Sequence, residues 1–167
     1  MSVEYRIGDL FSQGITALGH GVNCQGLMGA GIAPEFRRRW PAMFEAYRQQ
    51  CQAGRLRPGG LFAWSGPDGM TVLNLATQDR PGRHATLDAV HRSVAAAVKY
   101  CERHQIDQFA IPRLGAGIGG LDWADVSAMV EHAAALSPVR VVAMSLPGAG
   151  PRLARAGSAV EPEATLF

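Results

Sequence analysis

The feature that most constrains this chain is the alternation of short apolar runs with amphipathic stretches through its first 146 residues. Val3 to Ile7, Ile15 to Val22, Leu61 to Trp64, Thr71 to Ala76, Gln108 to Ile111 and Val139 to Ser145 read as short strands. Pro34 suits the first turn of a helix, and Phe36, Trp40, Phe44 and Tyr47 recur at helical spacing up to about Gly54, with Pro41 splitting this region in two. Thr86 opens an Ala-rich helix to about His104, with Leu87, Val90, Val94 and Val98 on one stripe, and Asp122 to Leu136 forms another helix. Gly66-Pro67-Asp68-Gly69 sits at hairpin spacing between two strands and predicts one antiparallel pair. This order predicts an α/β domain with a mixed, largely buried sheet and helices on both faces.

With 167 residues, 47% of them hydrophobic, one core is expected. Residues 1–146 are read as the domain. From 147 to 167 the composition turns to Gly, Pro, Ala and Arg without periodicity, which predicts a flexible or surface-draped tail. No apolar run approaches the ~20 residues that cross a bilayer, and Glu4 and Arg6 interrupt the first apolar stretch, so a soluble cytoplasmic protein without a cleaved signal is expected. Cys24, Cys51 and Cys101 are odd in number and widely spaced, which argues against a disulfide framework or a zinc site. A formal charge of +2 does not announce nucleic-acid binding, and Arg37-Arg38-Arg39 reads as a solvated helix face. Lys99 is the one lysine, so amine chemistry has a single candidate.

Two segments carry the functional signal: Gly26-Leu27-Met28-Gly29-Ala30-Gly31-Ile32 and Leu114-Gly115-Ala116-Gly117-Ile118-Gly119-Gly120. Each leaves a predicted strand and enters a predicted helix. Glycines let backbone N–H groups turn toward a ligand, and a helix N-terminus adds positive potential, so such loops suit phosphate oxygens. Gly115, Gly117 and Gly120 formally satisfy G-x-G-x-x-G, but the match lies late in the chain and lacks the following strand with its acidic residue. A P-loop signature is absent.

Gly8-Asp9-Leu10-Phe11, the run from His20 through Val22-Asn23-Cys24 to Met28-Gly29-Ala30-Gly31-Ile32-Ala33 and Phe36, and Ile111-Pro112-Arg113-Leu114-Gly115 through Gly120-Leu121-Asp122-Trp123 resemble the macrodomain family over residues 2 to 146. The nearest branch contains the terminal ADP-ribose protein glycohydrolase and antitoxin macrodomains that remove ADP-ribose from DNA. The resemblance implies a three-layer α/β/α fold with an ADP-ribose cleft at the strand ends. Adenine is expected near Asp9 and Leu10, the diphosphate between the glycine loops, and the distal ribose near Asn23, Gly29 and Gly117 to Gly119. The implied binding set is Asp9, Leu10, Asn23, Met28, Gly29, Ala30, Gly31, Ile32 and Thr77, with Leu114, Gly115, Ala116, Gly117, Ile118 and Gly119 opposite.

The pattern departs where those enzymes carry a catalytic lysine, a position occupied here by Gln78 within Asn74-Leu75-Ala76-Thr77-Gln78-Asp79-Arg80. The aspartate of the protein glycohydrolase's second loop is Gly119 here. Hydrolysis must then rely on an oriented water and electrostatic support, for which Asn23, Gln78, Arg80 and Asp122 are the catalytic candidates. Asn23 suits a ribose hydroxyl or an Asx turn, Asp122 a general base or a helix cap. Asp79 and His84 share the loop with Arg80. His20 reads as a buried strand histidine, Cys24 as loop packing, and Trp40, Trp64 and Trp123 as core or rim.

The expectation is a monomeric hydrolase, needing no cofactor or metal, that removes ADP-ribose from modified targets: acidic protein side chains ahead of DNA bases or O-acyl-ADP-ribose. The alternative is a non-catalytic ADP-ribose reader. A nicotinamide-dinucleotide enzyme is a third, weaker reading.

Overall fold

A computed structural model of the chain describes residues 2–150. Its strands are β1 (Val3–Ile7), β2 (Ala17–Val22), β3 (Leu61–Ser65), β4 (Thr71–Ala76), β5 (Gln108–Ile111) and β6 (Arg140–Ser145). Its helices are α1 (Ala33–Arg39), α2 (Pro41–Gln52), α3 (Leu87–Arg103) and α4 (Trp123–Ala134). The sheet order is β1-β6-β5-β2-β4-β3. All neighbours run parallel except β3 and β4, which the Gly66–Gly69 turn joins as the predicted antiparallel pair.

The strand period of two divides the core into two layers. Leu73 and Leu75 of β4, Phe109 and Ile111 of β5, and Val141 and Ala143 of β6 pack on one face against Val90, Val94, Ala97 and Cys101 of α3 and Val126 and Val130 of α4. The intervening residues, Val72, Ala76, Ala110, Val142 and Met144, pack on the other face against Phe36 of α1 and Met43 and Tyr47 of α2. The three-layer α/β/α arrangement expected from the sequence is the arrangement found.

Local chemistry accounts for the breaks between elements. Trp40, at φ −133° and ψ 75°, is non-helical because it precedes Pro41, and this separates α1 from α2. Thr86 caps α3 by accepting a hydrogen bond from Ala89 N at 3.1 Å. Strand β2 begins two residues after the predicted Ile15, and α4 ends two before Leu136. Such element ends shift easily because they rest on single hydrogen bonds.

Because five strands are parallel, their carboxyl ends meet at one edge of the sheet. The segments that follow β1, β2, β4, β5 and β6 therefore share one surface. The partners Leu18 and Ala110 make β2 and β5 neighbours, which sets the two glycine loops side by side. Among the described residues no helix is long and apolar enough to cross a membrane.

Candidate functional site

These five segments enclose a cleft of about 1300 Å³. Every residue of the expected binding set lines it: Asp9, Leu10, Asn23, Met28 to Ile32, Thr77, and Leu114 to Gly119. The two lips come close together: a Cβ on Gly31 would sit 3.4 Å from Ile118 Cδ1. Leu27 and Ile118, which also line the cleft, are 54% and 47% exposed, an arrangement that an occupant would relieve.

Both glycine loops leave backbone donors open. Among the described residues, the amides of Gly29, Ala30 and Gly31 in the first loop and of Gly117, Ile118 and Gly119 in the second donate to no protein acceptor. Backbone donors in a folded domain find partners in protein or solvent, and open amides on neighbouring loops are chemically suited to an anion. Gly29 and Gly117 sharpen the point. A Cβ on either would meet no atom within 4 Å, and neither needs a left-handed backbone. Nothing inside the domain demands glycine there.

The polar side chains behave differently. Asn23 Oδ1 accepts from the amides of Gln25 at 2.9 Å and Leu27 at 3.4 Å, and its Nδ2 donates to Leu27 O at 2.9 Å. Tyr47 OH donates to Asn23 O at 2.7 Å and lies 3.0 Å from Oδ1. Asn23 is thus an Asx turn that holds the first loop, with one amide hydrogen left over. Gln78 Nε2 donates to Arg80 O at 2.7 Å and Gly82 O at 2.9 Å, curling its loop so that Pro81 and Gly82 form the cleft wall. Arg80 is consequently exposed outside the lining, as are Asp79 and His84, and the structure does not bring this catalytic candidate to the site. Asp122 does line the cleft. It occupies the N-cap position of α4 but makes no capping hydrogen bond, so of its two expected roles, base or cap, the cap is not realised, and the residue is exposed.

Asp9 caps the short turn Leu10–Ser12, accepting from Phe11 N at 3.1 Å and from Ser12 Oγ at 2.6 Å. Those donors, the hydroxyl first, hold its carboxyl below the usual range. Cys24 is pinned, its N–H donating to Asp79 O at 2.9 Å, and desolvation pushes its thiol up to about 12, which makes it packing rather than a nucleophile. All three cysteines are free thiols. His20 is fully buried, stacked on Phe36 at 3.8 Å with Nε2 2.8 Å from Asn74 Oδ1, and desolvation lowers it to about 4. It is a neutral core residue, as its place in a strand predicted. Lys99 is exposed on α3 and does not line the cleft.

Gly119 is the tightest point of the second loop. A Cβ there would meet Gly115 O at 2.6 Å and Ala85 Cβ at 2.8 Å. Both distances are shorter than real contacts allow, so the loop in this conformation admits no aspartate at 119.

A family model described as Macro domain matches residues 20–130. The chain belongs to the macrodomain family. This macrodomain is 36% identical over 132 residues to the DNA ADP-ribosyl glycohydrolase of Mycobacterium tuberculosis, a match covering 74% of the chain and 36% of that protein. The chain therefore spans about a third of the length of such relatives. It is 28% identical over 145 residues to the human ADP-ribose glycohydrolase OARD1, covering 86% of the chain and 91% of that protein. Among solved structures, the macrodomain of Mycobacterium tuberculosis DarG superposes with a TM-score of 0.78 at 32% identity, covering 87% of this chain and 98% of that one.

Cleft residues outside the expected binding set include Phe11, Pro81, Gly82, Arg113, Leu146 and Ala149, of which Phe11 and Arg113 belong to the motifs of the resemblance. Leu146 and Ala149 were legible in principle, because Leu146-Pro147-Gly148-Ala149 places Pro and Gly where a type II turn wants them. Residues 147–150, read as part of the tail, form this turn on the cleft, and 151–167 lie outside the described residues. Among the described residues no group of three or more His, Cys, Asp or Glu side chains converges to hold a metal ion.

Proposed function

We propose that this macrodomain binds ADP-ribose in the cleft and hydrolyses it from modified targets. The observation that carries the reading is the set of six unpaired amides on two facing loops, with Gly29 and Gly117 clearing the space between them. The pyrophosphate bridges these amides, the distal ribose lies toward Asn23 and Gly117, and the base lies toward Asp9 and Leu10. The third, dinucleotide-enzyme reading loses its support, because the G-x-G-x-x-G segment follows β5 rather than the first strand.

Gln78 offers no amine nucleophile and its amide is spent on its own loop, so a lysine route is closed. In the proposed step a water oxygen bonds to the anomeric carbon of the distal ribose as the bond to the target breaks. The water's proton passes to the Asp122 carboxylate and from there to the departing group. DNA bases rank ahead of acidic protein side chains and O-acyl-ADP-ribose, a reversal of the sequence-based order. The reasons are the higher identity to relatives named for DNA ADP-ribose and the steric exclusion of an aspartate at Gly119. The protein acts as a monomer in the cytoplasm, where its three thiols stay reduced.

A reader without turnover is the second reading, and one observation favours it: Asn23 and Gln78 are both engaged in holding loops. Incubating the protein with ADP-ribosylated DNA, ADP-ribosylated protein and O-acetyl-ADP-ribose decides between them. Release of free ADP-ribose from DNA, lost in Asp122→Asn, is the expected result. Binding of ADP-ribose with no release from any substrate establishes the reader. Calorimetry showing tight NAD binding and none for ADP-ribose would sink both.

A further inference from the structure

The cleft lining is of two chemical kinds: open amides of the glycine loops, and the apolar side chains of Leu10, Met144, Leu146 and Ala149. Two of the apolar residues belong to a turn held in place by a residue from another segment. Ala149 N donates to Leu146 O at 3.0 Å, and Gly148 takes φ +81° at the third position of this type II turn. Leu146, which it presents to the cleft, is 67% exposed.

Arg113, two residues before Gly115, holds the turn. Its Nε donates to Ser145 Oγ at 2.8 Å, Nη1 to Ala149 O at 3.0 Å and Nη2 to Gly150 O at 3.1 Å. Its Cζ stands 5.4 Å from the centre of the Trp123 ring. A planar guanidinium fork matches two successive carbonyls in a way that a single ammonium cannot. Trp123, which also lines the cleft, keeps a buried indole N–H with no partner among the described residues.

We infer that Arg113 is a positioning residue for the nucleobase: by fixing the Leu146–Gly150 turn it builds one wall of a slot for a flat heteroaromatic ring. This rests on the ADP-ribose reading. The assignment follows from chemistry: a purine face gains from burial against Leu10, Met144 and Leu146, whereas a pyrophosphate gains from the amides. Arg113 then governs affinity for the base through the turn it holds, and does so from the strand exit that also supplies the second glycine loop.

The test compares ADP-ribose with ribose 5-phosphate, which lacks the base, by calorimetry and amide chemical-shift titration. Arg113→Met keeps an apolar stem but loses the fork. It is expected to weaken ADP-ribose binding at least 10-fold and leave ribose 5-phosphate binding unchanged. Arg113→Lys does not restore affinity. Gly148→Ala leaves Arg113 in place and disfavours the left-handed turn. It gives the same selective loss, and the double variant is no weaker than Arg113→Met alone. Should Arg113→Met fail to fold, Gly148→Ala carries the comparison. Unchanged ADP-ribose affinity in these variants overturns the inference, as does an equal loss for both ligands, which would place the action of Arg113 in the phosphate loop. A parent protein that binds ribose 5-phosphate but not ADP-ribose overturns the ADP-ribose reading and this inference together; a base-selective loss for another nucleotide is not expected.

Discussion

Replacing Gly117 by Glu puts one negative charge into the cleft with little disturbance elsewhere. The position is exposed, its backbone is not left-handed, and a Cβ there meets no atom within 4 Å, so the folded state accommodates the side chain. If the carboxylate lies about 5 Å from a pyrophosphate carrying two charges, Coulomb's law at an effective dielectric of about 40 gives roughly 3 kcal/mol of repulsion. Screening over a Debye length of about 8 Å at physiological salt reduces this to roughly 2 kcal/mol, or ~30-fold in Kd. Gly117→Gln, nearly the same size, separates charge from bulk: it is expected to bind several-fold more tightly than Gly117→Glu, and the gap widens as salt is lowered. Calorimetric titration of ADP-ribose at two ionic strengths, with thermal unfolding as the folding control, reads all of this. Parental affinity in Gly117→Glu would refute the placement of the pyrophosphate beside the second loop.

The remaining predictions concern the residues that hold the site. Asn23→Ala removes the acceptor of Gln25 N and Leu27 N, and is expected to cost about 1–2 kcal/mol of stability and to weaken ADP-ribose binding; Asn23→Asp, which keeps the acceptor, recovers much of the stability in urea unfolding. Gly119→Asp is expected to lose about 1–3 kcal/mol of stability by overpacking against Gly115 O and Ala85, and to gain no release of ADP-ribose from protein. His20 makes stability fall with acid: its folded-state value of about 4 lies below the ordinary 6.5, so the contribution is complete above pH 6.5 and is lost as pH drops toward 4, roughly 3 kcal/mol in all. Urea midpoints measured from pH 7 to 4 check this, and in His20→Leu that slope should flatten even though the variant is weaker at pH 7.

The sequence announces some of this architecture plainly and other parts not at all, for physical reasons. Strands β4, β5 and β6 are legible because burial on both faces leaves them almost wholly apolar, and the α1–α2 break is legible because Pro41 acts on Trp40 locally. The glycine loops are legible because clustered glycines between a strand and a helix mark a backbone free to turn its amides outward. What residue type left open is the choice among partners for the polar side chains of the loops. Asn23 bonds to Leu27 and receives Tyr47 from α2, and Gln78 bonds to its own loop, partnerships that depend on the path of the backbone rather than on residue type. Arg80 fell outside the cleft for the same reason.

That division bears on how the site can work. In the proposed reading binding relies on backbone amides, which the strand order fixes in place and which no single side-chain substitution removes. Turnover has no such redundancy. With Gln78 in the lysine position and Gly119 closed to an aspartate, Asp122 is the one carboxylate of the second loop that both lines the cleft and is left uncommitted by its own helix. If hydrolysis occurs, it should therefore fail in Asp122→Asn while ADP-ribose affinity stays within about 3-fold of the parent, a split that a binding residue would not produce. Equal loss of binding and turnover in that variant would return Asp122 to the role of a ligand contact and leave the chemistry to water held by the loop amides alone.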